Sequence, residues 1–276
     1  MSSRNSDQEH DMPSVLITGG TSGIGAAAST ALAAKGYRVF AASRTEPVEP
    51  LGDGIDWLAM DVCDDESVAK AVTQVLASCG SLDALVCCAG FGIFGSIEEV
   101  SIENSDRQMD TNLGGTLRAI KAVLPHMRES QKGRIALVGS IGGRAPIPFQ
   151  AHYSASKAAV EAIAGALFNE VRPYGVRVSL IEPGDINTPF NAAMDWEEGN
   201  TSHYEERIRR CEAVIRASLP KAPGPQVVAD AIVKALTATR PRFRYTIGPD
   251  SFLMPFAKRF FTDGLVLRFI RDHFKV

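Results

Sequence analysis

Ser14-Val-Leu-Ile-Thr-Gly-Gly-Thr-Ser-Gly-Ile-Gly25 decides the fold. The run Ser14 to Thr18 is apolar and rich in β-formers, and Gly19-Gly20 cuts it off, so it reads as a first, buried strand. From Ile24 to Lys35 an alanine-rich pattern predicts a helix, stopped by Gly36. Between the two lies Gly19-x3-Gly23-x-Gly25. Glycines there permit a tight turn and let backbone N–H groups approach a pyrophosphate at a helix N-terminus. The spacing differs from the common Gly-x-Gly-x-x-Gly, and a Gly-rich turn also serves plain strand–helix packing.

Working outward, the same alternation repeats. Strands are expected at Arg38–Ser43, Ile55–Asp61, Leu82–Ala89, Ile135–Gly139 and Val176–Ile181. Helices are expected at Asp64–Ser78, at Ser101–Arg128 (one helix, or two broken at Gly114-Gly115) and at Tyr153–Val171. Acidic residues at the start of Asp64–Ser78 suit the positive end of a helix dipole. Each strand is apolar on both faces, as in a parallel sheet covered on both sides. The expectation is an α/β chain: a single doubly wound Rossmann-type domain over 13–250, with a parallel sheet and helices on both faces. Residues 1–12 are expected as a disordered tail, 189–223 as a substrate lid and 251–276 as a C-terminal amphipathic segment.

Composition bounds the function. The chain has 276 residues, 45% hydrophobic and 22% charged, with a formal net charge of -3, which gives no electrostatic argument for nucleic acid. Five cysteines, with no C-x-x-C pair and no signal-like leader, suggest reduced thiols in a cytoplasmic setting. Cys87-Cys88 reads as two small buried hydrophobes. No metal cluster is suggested.

Two places carry chemistry. The first is Ser140 to Lys157, Ser-Ile-Gly-Gly-Arg-Ala-Pro-Ile-Pro-Phe-Gln-Ala-His-Tyr-Ser-Ala-Ser-Lys. Tyr153 and Lys157 stand one helical turn apart, phenol and ammonium on one face. The second is the end of the second strand. A carboxylate there would accept from a ribose 2′-OH, but Ser43-Arg44 stands in its place. A guanidinium pairs with a 2′-phosphate, so NADP(H) is expected over NAD(H). A solvated surface arginine is the plain alternative. Asp61 is either an acceptor for an adenine amino group or a helix N-cap before Asp64.

With these residues assembled, the chain resembles the classical short-chain dehydrogenases/reductases over about residues 14–190. The resemblance rests on Thr18-Gly-x3-Gly-x-Gly25, Asp61-Val62, Ala89-Gly90, Asn112, Ser140, Tyr153-x3-Lys157 and Pro183-Gly184-x-Ile186-x-Thr188. It implies Tyr153 as acid/base, its pKa lowered by Lys157, with Ser140 on the substrate oxygen and Asn112 holding a water linked to the lysine. It implies a cofactor site of Gly19, Thr21, Ser22, Gly23, Ile24, Gly25, Arg44, Asp61, Val62, Ala89, Gly90, Asn112, Tyr153, Lys157, Pro183, Gly184, Ile186 and Thr188. It also implies a homodimer or homotetramer, for which Ala158, Ala159, Ala162 and Ala166 would allow close helix packing. The chain departs from the family at Cys87-Cys88, where asparagines are usual, which puts local hydrogen bonding in question.

Beyond Thr188 the pattern fades. Phe91, Ile93, Phe94, Ile141, Pro146, Ile147, Phe149, Met194 and Trp196 suggest an apolar pocket for a bulky alcohol or ketone, and the branch resembled acts on steroids, retinoids and other lipids. A cofactor-sensing binding protein and a reductase of polar or carrier-bound ketones are the alternatives. Glu205–Arg209 and Glu206–Arg210 read as ion pairs on a solvated helix face, and Arg144 as a surface residue. In 251–276 phenylalanines alternate with Lys258, Arg259, Arg268, Arg271 and Lys275. That pattern reads as a tail docked on the lid or on a partner subunit, or as a basic amphipathic helix peripheral to a membrane; the docked tail is the expectation.

Overall fold

The computed structural model describes residues 12–190, 194–196, 203–248 and 260–276. The expected disordered tail therefore lies outside the described residues, apart from Met12.

Seven parallel strands form the main sheet. They are β1 (Ser14–Thr18), β2 (Arg38–Ser43), β3 (Ile55–Ala59), β4 (Ala84–Cys87), β6 (Gly133–Val138), β7 (Val176–Pro183) and β9 (Arg244–Ile247), in the order β3-β2-β1-β4-β6-β7-β9. Two short strands, β5 (Ile93–Phe94) and β8 (Asp195–Trp196), pair apart from it. The order reverses between β1 and β4, and a doubly wound sheet opens its ligand crevice at the carboxyl ends of the strands there.

Alternation along each strand sorts the core into two layers. Leu16, Phe40, Leu85, Leu137 and Leu180 face α2 (Asp65–Cys79), α4 (Gly115–Glu129) and α5 (Ala151–Glu170). Val15, Ile17, Val39, Val86, Ala136 and Ile181 face α1 (Gly23–Ala33) and α7 (Gln226–Thr237). Every residue of β1 and β4 is buried, which is why those segments read as unbroken apolar runs.

The expected helix at 101–128 is two helices, α3 (Ile102–Met109) and α4, joined by a π-helical turn at Asp110–Gly114. A Cβ on Gly115 would lie 2.7 Å from the Val62 side chain, so glycine lets α4 begin against the loop after β3. Helix α7 and strand β9 were not anticipated, because residues 226–247 fall after the recognisable motifs. Asp64 caps α2, its side chain accepting from the Glu66 amide at 3.0 Å. That removes the N-cap reading of Asp61, whose Oδ1 accepts instead from Cys63 N at 2.9 Å.

In the expected lid, α6 (Glu205–Ser218) carries the Glu206–Arg210 pair at 3.4 Å on its outer side. Its inner side puts Cys211, Ile208 and Ile215 against Phe94, Phe149, Phe190, Met194 and Phe274. The last helix, α8 (Asp263–Phe274), buries Val266 and Ile270 against Ala145 and Ile141.

Candidate active site

The glycine turn sits at the carboxyl end of β1. Gly19 and Gly23 have φ of +66° and +49°, which a side chain rarely adopts. A Cβ on Gly19 would stand 3.0 Å from the Ala89 backbone, so the turn is packed against the end of β4. Thr18 makes that junction. Its Oγ1 accepts from the amides of Cys88 and Ala89, each at 3.1 Å. This answers the question raised by Cys87-Cys88: the backbone where asparagines are usual is held by the threonine. Burial pushes both thiols up, Cys88 to about 12, so neither is a nucleophile at neutral pH. The five cysteines are free.

Ser43 and Arg44 end up beside the turn because β2 pairs with β1 in register and Gly20 N donates to Ala42 O at 3.1 Å. Ser43 Oγ is engaged, accepting from Trp57 Nε1 and donating to Thr45 O. The Arg44 side chain is exposed at the rim. On the other side of the turn, a Cβ at Gly23 would meet Thr188 at 3.6 Å, so the segment after β7 closes over the start of α1. Ile186 in that segment is buried, anchoring it.

Ser140 follows β6 and caps a short 3-10 turn, its Oγ accepting from Gly142 N at 3.0 Å. Tyr153 and Lys157 lie on the first turns of α5. A Cβ on Gly143 would fall 2.8 Å from the backbone of Lys157, so the serine loop lies directly on that helix. Lys157 Nζ is buried, donates to Val138 O at 3.0 Å and lies 5.8 Å from the Tyr153 ring centroid. Asn112 is 1% exposed in the π-turn. Its Oδ1 accepts from Phe91 N at 3.0 Å, and its Nδ2 donates to Phe91 O at 3.0 Å and Ser156 Oγ at 2.9 Å. The π-turn is thus where the asparagine reaches across from one helix to another.

The electrostatics differ from the expectation in one respect. The Tyr153 phenol is raised, not lowered, in the protein alone: burial dominates, Ser140 hydrogen-bonded to the phenol works against it, and Asp185 adds to it. The lysine bears its own burial. Its ammonium is held down to about 8, because the charged form is desolvated.

Phe190 was not anticipated. Its ring lies 5.7 Å from that of Tyr153, and a Cβ on Gly92 would meet it at 3.3 Å. Ser156 was also missed as a polar support, though it adjoins the motif residue Lys157; Thr18 was named within the glycine motif, but its hold on the Cys88 and Ala89 amides was not foreseen. Of the expected pocket residues, Ile93 is buried, and Phe94 and Met194 are buried beneath α6. Pro146, Ile147 and Phe149 instead line a groove of about 650 Å³ with Ile97, Tyr204 and Leu267. Phe149 takes φ of +61°, a strained backbone for an aromatic residue, and its carbonyl accepts from Gly95 N. Arg144 is no surface residue. It is half-buried, 3.9 Å from the fully buried Glu182, which also pairs with Arg244; Arg244 in turn reaches Glu161 at 2.6 Å.

Comparison with known proteins fits this geometry. Residues 13–199 match the family model for short chain dehydrogenases. The chain is 38% identical over 237 residues to 3-ketodihydrosphingosine reductase of Bacteroides thetaiotaomicron, covering 85% of this chain and 87% of that one. It is 33% identical over 255 residues to 17-beta-hydroxysteroid dehydrogenase type 1 of Homo sapiens, covering 84% and 76%. A short-chain dehydrogenase from Streptomyces avermitilis superposes with a TM-score of 0.79 at 28% identity, covering 96% of each chain. This chain belongs to the short-chain dehydrogenases, nicotinamide-dependent oxidoreductases that act on CH–OH and C=O groups.

Proposed function

We propose that the protein interconverts a ketone or aldehyde and an alcohol on a hydrophobic, steroid-, retinoid- or lipid-like substrate, using NADP(H) in preference to NAD(H). The observation that carries it is the convergence of Ser140, Tyr153 and buried Lys157 on the serine loop and α5, beside a glycine turn that side chains would block.

The residues fit a dinucleotide. The turn Gly19 to Gly25 offers backbone N–H groups at the N-terminus of α1, with Thr21, Ser22 and Ile24 around them. Asp61 and Val62, beside the turn on the β3 side, suit the adenine. Ala89, Gly90, Pro183, Gly184, Ile186 and Thr188 form the far wall toward the nicotinamide. A Cβ on Gly90 would stand 2.9 Å from Asn112 Oδ1 and 3.6 Å from Lys157 Nζ, so the glycine keeps open the approach to both. When bound, the nicotinamide supplies or accepts the hydride.

The chain's own part is proton management. Tyr153 gives its phenolic proton to the carbonyl oxygen during reduction and takes it back in the reverse direction. A phenol raised by burial is protonated at neutral pH, which suits the donor role. For the reverse direction the phenolate must be stabilised, a role that Lys157, 5.8 Å from the ring centroid, would take as an ammonium. Ser140 shares the negative charge developing on the substrate oxygen. Asn112 fixes the Phe91 loop to α5 through Ser156 and so sets the position of the helix that carries the pair. Lys157 Nζ also lies where it can orient a ribose hydroxyl.

Arg44 supports the phosphate-bearing cofactor, because it follows β2 at the point where a carboxylate would read a free ribose. The apolar groove lined by Ile147 and Phe149, and the Phe190 ring beside Tyr153, support a hydrophobic substrate. By their names, the two relatives above act on 3-ketodihydrosphingosine and on a 17-beta-hydroxysteroid. The test is a panel of ketones and alcohols with NADPH or NADP, followed at the nicotinamide absorbance, for wild type and Tyr153→Phe. The expected result is turnover favouring bulky apolar compounds, and loss of turnover with cofactor binding retained in the variant. Turnover undiminished in Tyr153→Phe would overturn the acid/base assignment.

A further inference from the structure

The helix α8 is docked on the protein by one stripe only. Val266 and Ile270, one turn apart, are 2% and 4% exposed and pack on Ala145 and Ile141. Exposed apolar side chains flank that stripe, on the helix and just before it. Phe261, Leu267 and Phe269 are 46%, 54% and 54% exposed, and the rings of Phe261 and Phe269 meet edge to face at 6.3 Å. Arg268 on the helix and Lys275 at its C-cap are exposed, as are Asp263, Arg271 and Asp272, the last two ion-paired at 2.7 Å. The inner stripe of the helix is thus docked on the protein, and the exposed residues are the part left for a further contact.

Charge says what could cover that face. Residues 251–276 carry five basic and two acidic side chains, and residues 1–250 carry 24 basic and 30 acidic. The net charge of -3 conceals a cationic end on an anionic body. A second copy of the chain would have to bring two net-cationic segments together, which is unfavourable; an anionic surface with an apolar interior matches both properties. Among the described residues no helix is long and apolar enough to cross a membrane, so the contact would be peripheral.

We propose that α8 and the residues that flank it dock on an anionic lipid surface through Phe261 and Phe269, steered by Arg268 and Lys275. The consequence for the enzyme lies in the groove. Leu267, Ile270 and Arg271 of α8 line it together with Ile97, Ile147 and Phe149. The same helix therefore forms the membrane-facing surface and one wall of an apolar trough, so a water-insoluble substrate would pass from bilayer to protein without crossing bulk water. The docking itself does not depend on the Tyr153 chemistry, and its readout is binding alone.

The experiment is cosedimentation of the full-length protein with vesicles of phosphatidylcholine and with vesicles containing about a third phosphatidylserine. Expected is binding to the anionic vesicles, weakened by salt, and reduced about tenfold or more both in Phe261→Ser/Phe269→Ser and in Arg268→Glu/Lys275→Glu. All four positions are exposed and outside the proposed catalytic and cofactor groups, so turnover of a water-soluble ketone is expected unchanged, which verifies folding. Absence of binding, equal binding to both vesicle types, or binding unaltered in either variant would overturn the proposal. So would a loss of self-association in Phe261→Ser/Phe269→Ser without any vesicle binding, which would assign the face to a second copy.

Discussion

Replacing Gly25 by alanine tests how closely the first helix must approach the turn before it. A Cβ at this position would lie 2.0 Å from the Gly19 carbonyl oxygen, 2.8 Å from its carbon and 3.1 Å from Gly20 Cα. Ordinary contact begins near 3.4 Å, so the helix or the turn must give by more than an ångström, and the obstacle is backbone on both sides. Overpacking of this kind costs about 1–3 kcal/mol, sometimes more. At roughly 2–4 °C per kcal/mol for a domain of this size, the expected fall in Tm is about 2–12 °C. The displaced groups are the turn amides, including the Gly20 N–H now bonded to Ala42 O. NADPH affinity should therefore fall by about tenfold or more, equivalent to about 1.4 kcal/mol. Gly36→Ala is the control. Gly36 has φ of +81° but nothing within 4 Å of its Cβ position, so the change costs about 1–2 kcal/mol of backbone strain and leaves the turn alone. Thermal unfolding and fluorescence titration with NADPH on all three proteins measure both effects. A folded Gly25→Ala protein binding NADPH within about twofold of wild type would refute the reasoning, as would equal loss of affinity in Gly36→Ala.

Other predictions concern charge. Lys157 titrates at about 8 in the folded protein against 10.5 when unfolded. Between those values the unfolded chain holds the extra proton, so cofactor-free stability should rise with pH, by up to about 1.4 kcal/mol per pH unit. The burial penalty is complete below the lower value and gone above the higher. Lys157→Met should lack this slope and unfold at a higher temperature near pH 7, while losing turnover; a parallel slope in both proteins would contradict the assignment. Glu182→Ala strands Arg244 and Arg144, but Arg244 keeps Glu161 and is partly exposed. A loss on the order of 2–3 kcal/mol in urea unfolding is expected, below the 3–5 typical of a fully buried broken pair. Arg44→Ala should raise KM for NADPH about tenfold or more and leave that for NADH nearly unchanged, since only the former brings a phosphate to pair. Equal changes for both cofactors would assign Arg44 to the surface.

The alternation of strands and helices from Ser14 to Pro183 was legible because the inner parallel strands, covered on both faces, must be apolar throughout; the edge strand β3 buries only Leu58. The glycine turn was legible for a similar reason: only glycine satisfies both the positive φ and the close approach to Ala89. Tyr153 and Lys157 were legible because their partnership is local, one helical turn. Long-range pairings leave no such mark. Arg144 looked like a loop residue until β7 and β9 brought Glu182 and Arg244 to it. Phe190 stands 37 residues after Tyr153 in the chain, and only the pairing of β7 alongside β6 lays its ring beside the phenol. The direction of the Tyr153 shift reversed for the same reason, because burial is a property of the assembled site and no spacing records it. The sequence by itself therefore determined the fold class and the reacting groups, which rest on periodicity and on contacts a few residues apart. Which face of α8 is buried, what holds the serine loop, and how solvent is shut out from the phenol were decided by tertiary packing, since each depends on distant segments meeting.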